Sequence, residues 1–532
     1  MKKISLTKGK STLLVIITLM AVCLTVLYAN EPYSGWEQIS TTHFQIIFEP
    51  HDHAYAQEVA SYADTVYLQL SELLDHSPKE KIPVVIAGRT ARANGYFSPI
   101  PARISIFTTS PSTRFMGSRT PDWLRSVFVH ELTHYIHLTS PVGPASFLTS
   151  IFGPAIPAMN TPLMPGWWIE GITTYTESTY ALGGRGDAPF FELAYKAPLL
   201  EDNMWSLAQS GYQSSFPPSG RIYVGGYIFV EYLMNRFGED IYTRINRTFA
   251  NLPFLGLNRA IHVETGSNAR DLYDDMLDQR KNAFKEQLPT VQSKLFSPDD
   301  LGDFHLPFIT ERGLIGWART YGKGGAIVIY PQEGGQPKIL KPVYPVDAQS
   351  FDVTRDGRTA VVAISYDTTS HPASIPSVPV SFSDIVLIDL ETGVDYWLTQ
   401  GERLLHPAIR PDGKAIVATQ VIGTRYRLVN LDLATGLLEV LYENPSGSLY
   451  EPRFSPDGQR ILVVEVVQGR SALILLEPYK TVRYLEAPGP GGIYRPRFID
   501  DVSITFGSDR EGTLAVYRHE IDKNKPSFAQ SW

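Results

Sequence analysis

Residues 127–137, VFVHELTHYIH, put one glutamate and three histidines into an otherwise apolar stretch. His130 and His134 are four residues apart, so on a helix both imidazoles face the same way and can converge on one metal ion. Glu131 stands between them, placed to hold a water and take its proton rather than to bind the metal. His137 is two turns from His130, a rise of about 10 Å, too far for both to close one tetrahedral site. It reads as a surface residue or as a support behind a ligand. A third ligand comes from PGWWIEGITTYTES, where Glu170 opens a second helix after a proline-rich loop. Glu177 lies two turns further on the same face, positioned to orient a ligand histidine. Imidazole and carboxylate donors in this number favour one Zn2+ per chain.

Such residues need a rigid scaffold. Thr120 predicts the N-cap of the histidine helix, with Pro121 at its first position, Asp122 suited to the helix dipole, and Pro141 just past its end. Upstream, FQIIF (44–48), IPVVIAG (82–88) and RISIF (103–107) read as strands, with an amphipathic helix from about His53 to Leu74 between the first two. A polar-faced helix ending at Leu288 closes this region, which runs from Trp36 to Leu288 and is of mixed α+β character. Residues 289–304 read as a linker.

HELTH followed by WWIEG resembles the gluzincins, the thermolysin-like zinc peptidases in which two histidines and a downstream glutamate bind the metal. The resemblance implies a thermolysin-like fold for residues 36–288, zinc held by His130, His134 and Glu170, and Glu131 as general base. In RIYVGGYIFVEYLMNRFG, Tyr223-x-x-Gly226 ahead of a helix looks like the tyrosine turn of the gluzincin aminopeptidases, which implies that Tyr223 stabilises the oxyanion, with Tyr227 as the fallback. The chain is not metzincin-like, since His137 and Ser140 stand where that pattern needs glycine and histidine. It also lacks the GAMEN-type segment with which aminopeptidases capture a free amine. The strand RISIF could instead pair with an extended peptide, so an endopeptidase is preferred.

Beyond Leu301 the chain changes to short β-rich runs with a recurring turn, TRDG at 354, RPDG at 410 and SPDG at 455. Each is followed by an apolar strand, and degenerate copies flank them from His305 and Tyr494. The spacing of Gly357, Gly413 and Gly458 suits one four-stranded blade each, and residues 305–532 resemble a TolB-type β-propeller of about five blades. The Asp-Gly pairs are hairpin turns, not catalytic groups or calcium ligands.

At 532 residues the chain exceeds one ordinary core. A net charge of −8, with Lys and Arg scattered, excludes a nucleic-acid footprint. Lys2, Lys3, Lys8 and Lys10 precede an apolar run from Leu13 to Tyr28, an export signal within residues 1–29 that is either cleaved or kept as a membrane anchor. The single cysteine, Cys23, lies inside it. The expected setting is periplasmic or cell-envelope, with membrane contact through this segment if it is uncleaved. The loop SFLTSIFGPAIPAMNTPLMPGW (146–167) could wall the substrate cleft, touch the membrane surface or simply pack under the propeller; GRGD (184–187) reads as a flexible surface turn. The competing function is an inactive peptidase-like scaffold whose propeller binds a protein partner in the envelope.

Overall fold

The computed structural model describes residues 35–531 apart from several stretches, the longest at 112–121, 214–219, 287–302 and 369–379. The export segment with Cys23, Thr120, Pro121 and nearly all of the expected linker lie outside the described residues. The chain forms an α/β body and a five-bladed β-propeller packed against each other.

The body is built on a five-stranded mixed sheet, β1 (Glu37–Ser40), β2 (Phe44–Phe48), β3 (Ile82–Ala87), β4 (Gly95–Pro99) and β5 (Ala102–Phe107), in the order β1-β2-β3-β5-β4. Strict alternation in β2 and β3 buries Phe44, Ile46, Phe48, Ile82, Val84 and Ile86 on one face. Helix α1 (His53–Leu73) covers that face with Ala56, Val59, Ala63, Val66 and Leu70, a helical stripe. The strand expected to pair with substrate is corrected here: β5 is flanked on both sides, by β3 and by β4, and the edge strands are β1 and β4. The segment GYFSPIPA conceals this hairpin because its two prolines read as breakers, and an edge strand is where proline is tolerated.

The remaining helices are α2 (Trp123–Thr139), α3 (Ala145–Phe152), α4 (Gly166–Tyr180), α5 (Pro189–Leu200), α6 (Arg221–Phe237), α7 (Ile241–Asn251), α8 (Leu257–Thr265) and α9 (Ala269–Lys285). The described cap of α2 is Asp122, whose carboxylate accepts the Arg125 N–H at 3.0 Å, in place of the expected Thr120. Helices α4 and α6 cross backbone to backbone. A Cβ on Gly226 would lie 2.3 Å from the Trp167 carbonyl oxygen, and one on Gly171 2.5 Å from that of Gly226. Tyr223 therefore sits inside the first turn of α6, after Gly220 at φ 82°, not in a turn ahead of a helix. The glycine that suggested a turn is a helix-crossing residue. No helix among the described residues is long and apolar enough to cross a membrane.

The propeller begins at Asp303, inside the expected linker, and its five four-stranded antiparallel sheets follow in order to Ser531. Gly357, Gly413 and Gly458, at φ 69–70°, turn the chain between the first two strands of their blades, and Asp356, Asp412 and Asp457 each accept the backbone N–H two residues on. The two bodies meet through buried polar contacts. Thr90 Oγ1 and Ser381 Oγ are 2.8 Å apart, Ser110 donates to the Thr424 carbonyl at 2.8 Å, and the Tyr426 hydroxyl donates to the Ser110 carbonyl.

Candidate metal centre

Helix α2 carries His130 and His134 one turn apart, their rings 4.9 Å between centroids and nearly perpendicular. Helix α4, joined to α2 where Thr133 Oγ1 and Thr176 Oγ1 lie 2.7 Å apart, brings Glu170 up to them. Glu170 Oε2 lies 3.4 Å from His130 Nε2 and 3.5 Å from His134 Nε2, and all three donor atoms fall within 4.8 Å of one another. Zinc bonds near 2.0–2.2 Å give a tetrahedral ligand-to-ligand edge of roughly 3.3–3.6 Å, which the two edges from Glu170 match. Burial opposes charge on Glu170, yet the two histidines hold its carboxyl far below the usual range. Against the same burial, Glu170 and Glu177 push His130 up to about 9.

Behind His130 stands a buried ion pair. Glu177 Oε2 is 2.9 Å from His130 Nδ1, and both oxygens of Glu177 take Arg185 nitrogens at 2.6 Å. Despite burial, Arg185 and then His130 bring the Glu177 carboxyl down to about 2. Arg185 belongs to GRGD, which is therefore no flexible surface turn: it forms a short 3₁₀ turn, with the Arg185 side chain 14% exposed. A Cβ on Gly184 would lie 2.7 Å from the Ser178 backbone nitrogen, and one on Gly186 2.4 Å from the Tyr227 ring. The two glycines let the turn press on α4 and α6, which is the only trace of this role in the sequence.

Glu131 is buried and lines the cleft beside His130. The backbone of β4 passes directly over it, so close that a Cβ on Gly95 would lie 2.3 Å from Val127 and 3.2 Å from the Glu131 Cγ. Tyr223 lies across the cleft floor, its ring 6.4 Å from that of His130 and beneath the Arg185 guanidinium at 4.7 Å. Burial and then Glu170 push its phenol up to about 12, so it is protonated at neutral pH and able to donate. Tyr227, the fallback, donates instead to Glu231 at 2.9 Å. His137 is not on the surface. It is buried against Tyr242, whose ring lies 5.4 Å away.

The cleft above the metal set measures about 1200 Å³, beyond the range of small-molecule pockets. Its floor is α2, β4, Arg185 and Tyr223, and its roof is propeller, including Tyr344, Arg425 and Tyr450. None of the described residues of the apolar loop 146–167 lines it.

No protein-family model matches the chain. A Treponema pallidum (strain Nichols) protein, described as uncharacterized, is 26% identical over 437 residues, covering 78% of this chain and 37% of the relative. The chain thus spans little more than a third of the length of that relative. Among solved structures, the propeller resembles TolB of Agrobacterium tumefaciens (14% identity, 43% of this chain, 82% of the other, TM-score 0.36) and TolB of Acinetobacter baumannii (16%, 50% and 60%, TM-score 0.32). A Mycobacterium tuberculosis puromycin-hydrolyzing peptidase is similar at 16% identity, over 43% of this chain and 39% of the other, with a TM-score of 0.32.

Proposed function

We propose that the protein is an exported zinc-dependent endopeptidase of gluzincin type, whose α/β body has the thermolysin-like fold and whose propeller roofs the substrate cleft. The observation that carries this reading is Glu170 Oε2 at 3.4 and 3.5 Å from the Nε2 atoms of His130 and His134, with His130 and Glu131 lining one cleft. Zinc, when bound, supplies Lewis acidity to the scissile carbonyl and acidifies water at neutral pH. Glu131 takes the proton of the attacking water and passes it to the leaving amine. Tyr223 donates a hydrogen bond to the developing oxyanion. An extended peptide adds to the free edge of β4, which runs over Glu131, so that its backbone is held by strand pairing while the propeller contacts its far side. A strand-pairing wall grips internal peptide segments and requires no free terminus, hence an endopeptidase. Export is supported by the lysine-led apolar N-terminal run.

The test is Glu131→Gln. Parent and variant are expected to bind about one zinc each, measured by elemental analysis, while hydrolysis of an unfolded-protein substrate drops about 10²–10⁴-fold in the variant. A parent that binds no zinc sinks the site. A parent that binds zinc but cleaves nothing across a mixed peptide library leaves the scaffold reading in its place.

A further inference from the structure

The cleft continues past the metal set along α2. Asp122, Ser126, Val127, His130 and Glu131 all line it, one stripe down the helix, and at the far end of the stripe Asp122 is joined by Glu58 of α1. The two carboxyls share a hydrogen bond, so a proton lies between groups that repel when both are ionised. Partial desolvation, and then the charge of Asp122, push Glu58 up to about 7. Neither carboxyl has an ion pair among the described residues. Arg125, the cation whose charge reaches Asp122, directs its guanidinium to the Tyr180 carbonyl at 3.2 and 3.3 Å.

A third group faces the pair from behind. Tyr62 lies one turn on from Glu58 on the same face of α1, and side chains on a helix tilt back toward the preceding turn. Its hydroxyl is buried with no hydrogen-bond partner, and the charges of Asp122 and Glu58 both reach it. Two carboxyls and a phenol oxygen thus stand as acceptors without a cation, and an ammonium offers three donors. The other cations of the cleft are engaged: Arg185 by Glu177, and Arg425 by the carbonyls of Asn444 and Pro445. Glu58 is exposed, so a ligand in the cleft can reach it. Asp122 precedes His130 by eight residues, a rise of about 12 Å along α2. An extended peptide advances about 3.3 Å per residue, which puts the pair three to four residues from a bond held at the metal. That is too far for capture of the terminal amine of the residue being cleaved, and it suits a side chain further along the peptide.

We infer that Glu58 and Asp122, backed by Tyr62, form a subsite for a lysine or arginine side chain of the peptide, roughly two to five residues from the cleaved bond. The register rests on the endopeptidase reading; the charge preference is read separately, by binding. The full chain carrying Glu131→Gln is titrated, by fluorescence anisotropy at neutral pH, with N-acetylated, C-terminally labelled decapeptides of alanine and glutamine in which one lysine is stepped along the sequence, each against its norleucine counterpart. Lysine is expected to tighten binding about 10- to 100-fold at its best position, and adding Glu58→Gln with Asp122→Asn to remove that gain while leaving the norleucine peptides unchanged. Asparagine caps a helix as aspartate does, and Glu58 is exposed, so the fold is kept. No gain from lysine at any position overturns the inference, as does a gain that survives both substitutions. An equal gain from the free amine of an unacetylated norleucine peptide also overturns it, assigning the pair to a chain terminus. A parent that cleaves nothing fails the endopeptidase reading, while the lysine gain stands or falls on binding alone. In a parent that cleaves, cuts directly beside the lysine overturn the placement.

Discussion

Glu177→Gln tests the support behind the candidate metal site without touching a ligand. The carboxylate is 3% exposed, lies 2.9 Å from His130 Nδ1 and takes the Arg185 fork. With its carboxyl at about 2, it is ionised throughout the neutral range. The amide keeps the shape and can still accept from the imidazole, but its NH2 then points at the guanidinium, donor against donor. Arg185 Nη2, 2.8 Å from His130 Nδ1, is left as an uncompensated buried cation beside a site meant for a dication. Loss of such a support costs 10- to 100-fold in metal affinity, or about 1.4–2.7 kcal/mol. Breaking the buried pair costs stability as well, about 3–5 kcal/mol. Competition with a chromogenic chelator at neutral pH should show zinc Kd rising 10- to 100-fold, with the variant still folded by circular dichroism. Glu177→Gln with Arg185→Met should regain part of that loss, because the stranded cation is gone. A folded single variant with zinc affinity within about twofold of the parent would refute the reasoning.

Tyr223→Phe is expected to lower kcat about 10²–10³-fold with zinc content and KM little changed, read by steady-state kinetics on a peptide substrate. Gly226→Ala forces α4 and α6 apart and should cost about 1–3 kcal/mol or more, seen as a lower Tm, with weaker zinc binding because Glu170 rides on α4. The pH dependence of stability follows from His137, brought down to about 3 by burial and then by His134. Between its unfolded value near 6.5 and that value, the unfolded chain binds a proton that the folded chain does not. Stability is therefore full above pH 6.5 and falls on acidification by about 1.4 kcal/mol per pH unit, or about 2 kcal/mol at pH 5. His137→Gln should flatten the decline in Tm from pH 7 to pH 5; an unchanged slope would mean that His137 is not held neutral.

How much of this was legible depends on the range over which each residue acts. His130 and His134 converge because one helical turn relates them, so spacing alone brings their imidazoles together. The propeller repeats likewise show in Asp-Gly turns whose chemistry is complete within four residues. Glu170 was legible from its motif, but the crossing of its helix with α6 is recorded only as small residues, Gly171 and Gly226, and in YVGGY the same glycine imitated a turn. The misreading of Tyr223 and the true packing thus share one cause: glycine permits both positive φ and close approach, and pattern cannot tell which is being used. Arg185 was illegible for the complementary reason. An arginine between two glycines describes a solvated turn by every local rule, and its burial follows only once α4 supplies Glu177 as a counter-charge and α6 supplies Tyr223 as a ring to cover. The edge strand was hidden by its prolines, which forbid a central strand but not a border one. In each case what escaped was a long-range partner: a second helix for Gly226, a carboxylate for Arg185, a single neighbour strand for β4. The same dependence predicts where function will respond to mutation far from the ligands. Substitutions at Gly184, Gly186 or Gly226 should weaken metal binding through the packing of α4, whereas substitutions at Gly413 or Gly458, confined to blade turns remote from α2, should leave zinc affinity unchanged while lowering the stability of the propeller.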